Sequence, residues 1–173
     1  MYRPTTPVVF FTFDEFVTRQ IEWSWKTFGS PAEGRGPLGP LDHLKKEIVE
    51  IEKNPEDVTE WVDAIFLSID GFHRAGGRMY SDESTCIHPY VLPSSLDHLK
   101  MVLVLLTEEP QNAVLWFKAL AIAVKGYERA CGDSDELLMQ MFAKQRKNFN
   151  RDWPDWRLTD PNKAVEHVKG RHD

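Results

Sequence analysis

LDHLKKEIVEIEKNPEDVTEWVDAIFLSIDGFHRAG, residues 41–76, lies in register and without a gap over LDHLKMVLVLLTEEPQNAVLWFKALAIAVKGYERAC, residues 96–131. Pro55 meets Pro110, Trp61 meets Trp116, Ala64 meets Ala119, and Gly71 meets Gly126. Arg74-Ala75 meets Arg129-Ala130. Helix propensity explains similar composition, but not Pro, Trp and Gly falling at the same places. The chain therefore reads as carrying a tandem-duplicated helical hairpin, with copies at 41–76 and 96–131.

Each copy reads as two antiparallel helices. Pro40 suits the first turn of the first helix, and Asn54-Pro55-Glu56-Asp57 reads as the turn, with Asn54 as N-cap and Pro55 at N1. Gly76-Gly77 stops the return helix. In the second copy Ser94-Ser95 and Pro110 mark the same starts. Thr12-Phe13-Asp14-Glu15 is a capping box opening a flanking helix through about Phe28, and Asp133-Ser134-Asp135-Glu136 is another, opening a helix through about Asn148. Strand evidence is confined to Pro7–Phe11. The expected fold is all-α, a single domain over 1–173 built as a bundle of about six helices. Two loops stand out, Gly29–Gly39 and Gly76–Pro93, and the tail from Asp152 is expected to wrap the surface.

Composition narrows the classes. The chain has 173 residues, six Trp and ten Phe, enough for a real core. A net charge of −6 argues against binding nucleic acid. Cys86 and Cys131 are far apart and outside any CxxC, which fits a reducing compartment. No apolar stretch approaches a membrane span, and the start lacks a signal-peptide pattern, so the expectation is a soluble cytoplasmic protein.

Four acids carry the chemistry. Glu47 and Glu50 are spaced i, i+3, as are Glu60 and Asp63 on the return helix. Glu50 and Glu60 are equidistant from Pro55, and so are Glu47 and Asp63, so an antiparallel pair would set the four in a square. Clustered carboxylates repel one another, so they either face water as an acidic stripe or hold cations, for which hard oxygen donors suit Mg²⁺ or Mn²⁺. The second copy serves as an internal control: Val102, Leu105, Leu115 and Lys118 stand at the four positions. Three aliphatic replacements suggest a face that points inward in both copies, which favours the metal.

ExxE followed by ExxD on paired helices resembles the all-α nucleoside triphosphate pyrophosphohydrolases, the MazG-like superfamily. Residues 39–76 together with AKQRKNFNRDWPDWR and DPNKAVEHVKGR resemble the phage and bacterial dATP/dGTP pyrophosphohydrolase branch. The resemblance implies attack on the α-phosphorus of a dNTP by a metal-activated water, with release of pyrophosphate. It implies Glu47, Glu50, Glu60 and Asp63 as ligands of two or more Mg²⁺ or Mn²⁺ ions, with Glu47 or Glu50 as the catalytic base. The family's basic segment matches Lys144, Lys147, Asn148 and Arg151, which would hold the β- and γ-phosphates. Read by spacing alone, that stripe equally complements the helix dipole. The resemblance also implies a (d)NTP substrate and a homodimer or homotetramer. The second hairpin copy departs from the usual short member.

Base recognition falls to helix one, where Gln20, Trp23, Trp25 and Phe28 are candidates, with core packing as the competing role. Asp70 could be a further ligand or an outer acid. His43 and His98 recur with the scaffold and read as structural. Glu166 and His167 have no assignable role. The leading expectation is a purine dNTP pyrophosphohydrolase. The alternatives are a pyrimidine dNTP pyrophosphatase and a non-catalytic binding module.

Overall fold

The computed structural model describes residues 12–78, 95–131, 133 and 135–168. Among them lie six α-helices and no strand: α1 Phe13–Phe28, α2 Leu38–Lys53, α3 Val58–Arg74, α4 Leu96–Glu108, α5 Ala113–Cys131 and α6 Leu137–Phe149. The segment 7–11, where a strand was conceivable, lies outside the described residues, as do 79–94 between the hairpins. None of these helices is long and apolar enough to cross a membrane.

The helix starts follow from local hydrogen bonding. At α1 the Thr12 side chain accepts from Glu15 N while Glu15 accepts from Thr12 N at 2.9 Å, the expected capping box. Three starts differ from expectation. The cap of α3 is Asp57, whose carboxylate accepts from Thr59 N at 3.0 Å, while Asn54 ends α2. In the second copy Asn112 accepts from Val114 N at 3.1 Å. The prolines are thus turn residues ahead of the helix rather than its first position. At α6 the Asp133 side chain is spent on Asp135 N, and the helix begins only at Leu137. At the end of α3, Gly76 takes φ 83°, and Gly77 N donates to Phe72 O at 2.9 Å.

α2 with α3 and α4 with α5 form the two hairpins, and α3 packs along α5 so that the hairpins close a four-helix bundle. The matched residues hold it together reciprocally. The Trp61 indole donates to Pro55 O at 2.9 Å, and Trp116 donates to Pro110 O at 2.8 Å. Each ring then lies on the glycine of the other hairpin: a β-carbon on Gly126 would sit 2.2 Å from Trp61, and one on Gly71 would sit 2.3 Å from Trp116. This is the contact pattern of an isologous dimer, here within one chain. Phe16, Ile51, Ile65, Leu99, Leu106 and Tyr127 fill the core without exposure. α1 and α6 pack on α3 and on each other.

Val102 and Leu115 are buried, as their aliphatic character suggested, but Leu105 is 42% exposed. Only part of that face points inward in the second hairpin.

Candidate functional site

On α2 the buried stripe runs through Leu41, Leu44, Ile48 and Ile51. Glu47 lies on the edge of that stripe and is buried, against α3. Glu50 follows by three residues and so lags by about 60° around the helix, toward solvent. Its carboxylate is half exposed and pairs with Lys53 at 2.8 Å. The structure therefore gathers three of the four acids. One carboxylate oxygen each from Glu47, Glu60 and Asp63 lies within 4.8 Å of the others.

The cluster is short of positive charge. Burial, then the hydrogen bond and charge of Glu47, push Glu60 up to about 7. Burial raises Asp63 as well, against the pull of Lys144, whose Nζ lies 2.6 Å from Asp63 Oδ2. Burial also works to raise Glu47, but His43 outweighs it and holds Glu47 below the ordinary range, with His43 Nε2 at 2.9 Å from Glu47 Oε1. His43 responds in turn: burial lowers it, the Glu47 bond and charge win, and the imidazole is raised. His43, read from sequence as structural, thus faces the acids. Its counterpart His98 instead lies with Nδ1 2.5 Å from Ser95 Oγ, where Ser95 caps α4.

The acids stand at one wall of a cleft of about 300 Å³ between α1, α2, α3, α6 and the tail. Lys144, Asn148 and Arg151 line it from the α6 side, one helical stripe as their spacing required, whereas Lys147 is exposed and does not. Gln20, Trp23 and Phe28 line it from α1, whereas Trp25 points outward at 37% exposure. Trp153, which the sequence gave no reason to single out, completes the aromatic wall. Its ring centroid is 4.8 Å from Phe28 and 5.7 Å from Trp23. Its indole donates to Asn148 O at 2.8 Å, which ties the tail to the basic stripe.

Two buried arginines tie together segments that line the cleft. Arg74 donates Nε to Asp70 Oδ2 at 2.9 Å, Nη1 to Gly29 O at 2.8 Å and to Arg35 O at 2.6 Å, and Nη2 to Ser24 Oγ at 2.9 Å. Ser24 Oγ donates on to Asp70 Oδ1 at 2.8 Å. Asp70 is thus committed to Arg74 and Ser24. Arg35 donates to Phe28 O, and to the tail carbonyls of Asp160 at 2.8 Å and Lys163 at 3.3 Å. The tail does more than wrap the surface. Asp42 accepts from Ala164 N at 3.2 Å, Glu166 pairs with Lys46, and Val165 is buried, so residues 163–167 form a wall of the cleft. His167 lies edge-on to Trp153, with centroids 5.6 Å apart.

An acid-lined end, a cationic stripe and an aromatic wall in one cleft make the chemistry of a nucleoside phosphate site. Comparison with known families agrees. A family model described as dATP/dGTP pyrophosphohydrolase matches residues 16–86 and 91–171. Neither the comparison with curated proteins nor that with solved structures gives a match. The chain belongs to the dATP/dGTP pyrophosphohydrolase family and is a nucleoside triphosphate pyrophosphohydrolase.

Proposed function

We propose that the protein hydrolyses a purine deoxynucleoside triphosphate, dGTP or dATP, in a Mg²⁺- or Mn²⁺-dependent reaction that yields the monophosphate and pyrophosphate. The observation that carries this reading is the cleft itself. Three clustered carboxylates and the Lys144 stripe stand in the same cleft as the Trp23, Phe28 and Trp153 wall.

The donor set fits a hard divalent cation. Glu47, Glu60 and Asp63 offer only oxygen, they are close enough to share an ion, and burial above all raises two of them, Glu60 and Asp63, against ionisation. When bound, such an ion neutralises the site and lowers the pKa of water. Glu50 is proposed as a further ligand, since its exposed pair with Lys53 is worth about 1 kcal/mol at most and is readily given up.

The remaining roles belong to the chain. Glu47, kept ionised by His43, is the base that takes a proton from the attacking water. The water oxygen bonds to the α-phosphorus as the bond to the bridging oxygen breaks, and pyrophosphate leaves. Lys144, Asn148 and Arg151 hold the β- and γ-phosphates, with Lys147 at the rim. Trp23, Phe28 and Trp153 shelter the base, and their combined breadth favours a purine. The two hairpins are proposed as a duplicated unit, with the copy that lacks the four site acids supplying the bundle surface that α3 packs on. Assembly as a homodimer or homotetramer is proposed beyond that.

The test is a product assay with each dNTP and Mg²⁺ or Mn²⁺. Nucleoside monophosphate and pyrophosphate from the purines, lost in Glu47→Gln, support the reading. Turnover confined to dCTP or dUTP would sink the purine assignment.

A further inference from the structure

We infer that Gln145, which does not reach the cleft, sets which purine the enzyme prefers by locking the orientation of the Gln20 carboxamide. The inference rests on the purine reading above.

Gln145 lies on α6 with no exposed surface. Its Nε2 donates to Phe16 O at 3.1 Å and to Gln20 Oε1 at 3.3 Å. The Phe16 carbonyl can only accept, so the Gln145 amide must turn its NH₂ toward α1. The Gln20 atom facing that NH₂ must then be its oxygen. Gln20 Nε2 is the atom left over, and it has no partner among the described residues. Gln20 is 4% exposed and lines the cleft beside Trp23, Ser24 and Phe28. The small part of it that meets the cleft is therefore a donor.

The arrangement has a cost that a purely structural role would not explain. Gln145 Oε1 is buried without a partner. Met or Leu would fill the same space without an orphaned acceptor. What the glutamine adds is direction.

That direction discriminates between purines. The 6-position of guanine is an acceptor, O6, and that of adenine is an amino donor, N6. A carboxamide free to flip would serve either base, offering Oε1 to adenine and Nε2 to guanine. One locked with Nε2 forward bonds O6 and faces N6 donor to donor, a buried mismatch. The site is thus built to favour a 6-oxopurine. Gln145 acts here as a positioning residue, through Gln20.

The experiment compares kcat/KM for dGTP, dATP and deoxyinosine triphosphate, which keeps O6 but lacks the 2-amino group. Wild-type enzyme is expected to favour both 6-oxo substrates over dATP by about tenfold or more, chiefly through KM. In Gln145→Met the ratio is expected to fall toward one while kcat on dGTP stays within about threefold, because Gln20 can then turn. In a Gln20→Met background, Gln145→Met should change the ratio no further. Deoxyinosine triphosphate tracking dATP in the wild type overturns the inference without any variant. So does a Gln145→Met enzyme whose melting temperature falls while its ratio holds. No turnover of any purine would overturn the substrate reading and this inference with it, whereas purine turnover without the 6-oxo preference overturns this inference alone.

Discussion

Lys144 Nζ lies 2.6 Å from Asp63 Oδ2, the counter-ion of a part-buried acid, and both side chains are about four-fifths covered. On the proposed mechanism lysine in that place would do two jobs in sequence, pairing with Asp63 and then turning to phosphate once a divalent ion takes over the acid. Lys144→Met is expected to lower kcat/KM by roughly 10- to 150-fold, the value of a charge-assisted bond of about 1.5–3 kcal/mol. Binding of Mn²⁺ alone, followed by calorimetry, should not weaken in that variant, because a competing cation has been removed. Weaker Mn²⁺ binding would mean that Lys144 organises the acids rather than substituting for the ion.

The raised acid predicts how the metal-free protein responds to pH. Glu60 rises from 4.5 in an open chain to about 7 in the fold, so across that window the folded state holds the extra proton. Stability must then fall as pH rises from about 4.5 to 7. His43 acts in the same sense from 6.5 upward, since its raised value favours the fold only while it is protonated. Glu47, lowered, matters only below 4.5. With chelator present, the melting temperature should decline between about pH 5 and pH 8. Glu60→Gln should match wild type near the lower end and exceed it at the upper end. Mn²⁺ should raise the wild-type melting temperature most at high pH, where the ligands are ionised.

A graded series separates the four acids. Glu47→Gln, Glu60→Gln and Asp63→Asn are expected to lose the Mn²⁺-induced rise in melting temperature. Glu50→Gln is expected to keep a reduced rise, because Glu50 starts outside the cluster on Lys53 and joins it at little cost. A full rise in Glu50→Gln would remove Glu50 from the ligand set.

The hairpins, their lengths and the acids were legible in the sequence because helical period and turn residues are local signals. The reason for the matched Trp and Gly was not, since it lies between hairpins: Trp61 needs Gly126, and Trp116 needs Gly71. Counting residues from the turn treated Glu47 and Glu50 as equivalent, whereas the lag of an i+3 step puts one against α3 and the other in water. The α3 cap was missed because Asn54 before Pro55 reads as an N-cap, and only the path of the chain through Pro55 passes that role to Asp57. Trp153 lay inside a segment that carries the resemblance but had no role assigned, and Arg35 gave no signal at all. Each earns its place from segments more than a hundred residues away or from a carbonyl that only the fold brings near.

The reciprocal contact makes a symmetric prediction about stability. Alanine is the better helix former, so Gly→Ala in an exposed helix gains up to about 1 kcal/mol. At Gly71 and Gly126 the new methyl would meet an indole at 2.3 and 2.2 Å. Packing should win, with each variant destabilised by about 1–3 kcal/mol in urea unfolding. The two losses should be similar, although only Gly71 belongs to the hairpin that bears the acids. Unequal losses would mean that the hairpins do not share one packing scheme.

Arg74 supplies the last prediction, because it satisfies groups from four places at once. Removing it in Arg74→Met leaves Asp70 buried without its counter-ion, and it leaves the Gly29 and Arg35 carbonyls without their donor. Breaking a buried pair in this way costs about 3–5 kcal/mol. Buried ion pairs can often be replaced by apolar residues without loss, which taken alone would have Asp70→Leu with Arg74→Met recover. Here recovery is not expected, since the two backbone carbonyls remain orphaned in the double variant. The loop they belong to carries Arg35, whose bonds to Asp160 and Lys163 hold the tail against the cleft. Nucleotide affinity should therefore fall along with stability in both the single and double variants. A double variant as stable as wild type would show that the ion pair, and not the carbonyl clasp, is what Arg74 contributes.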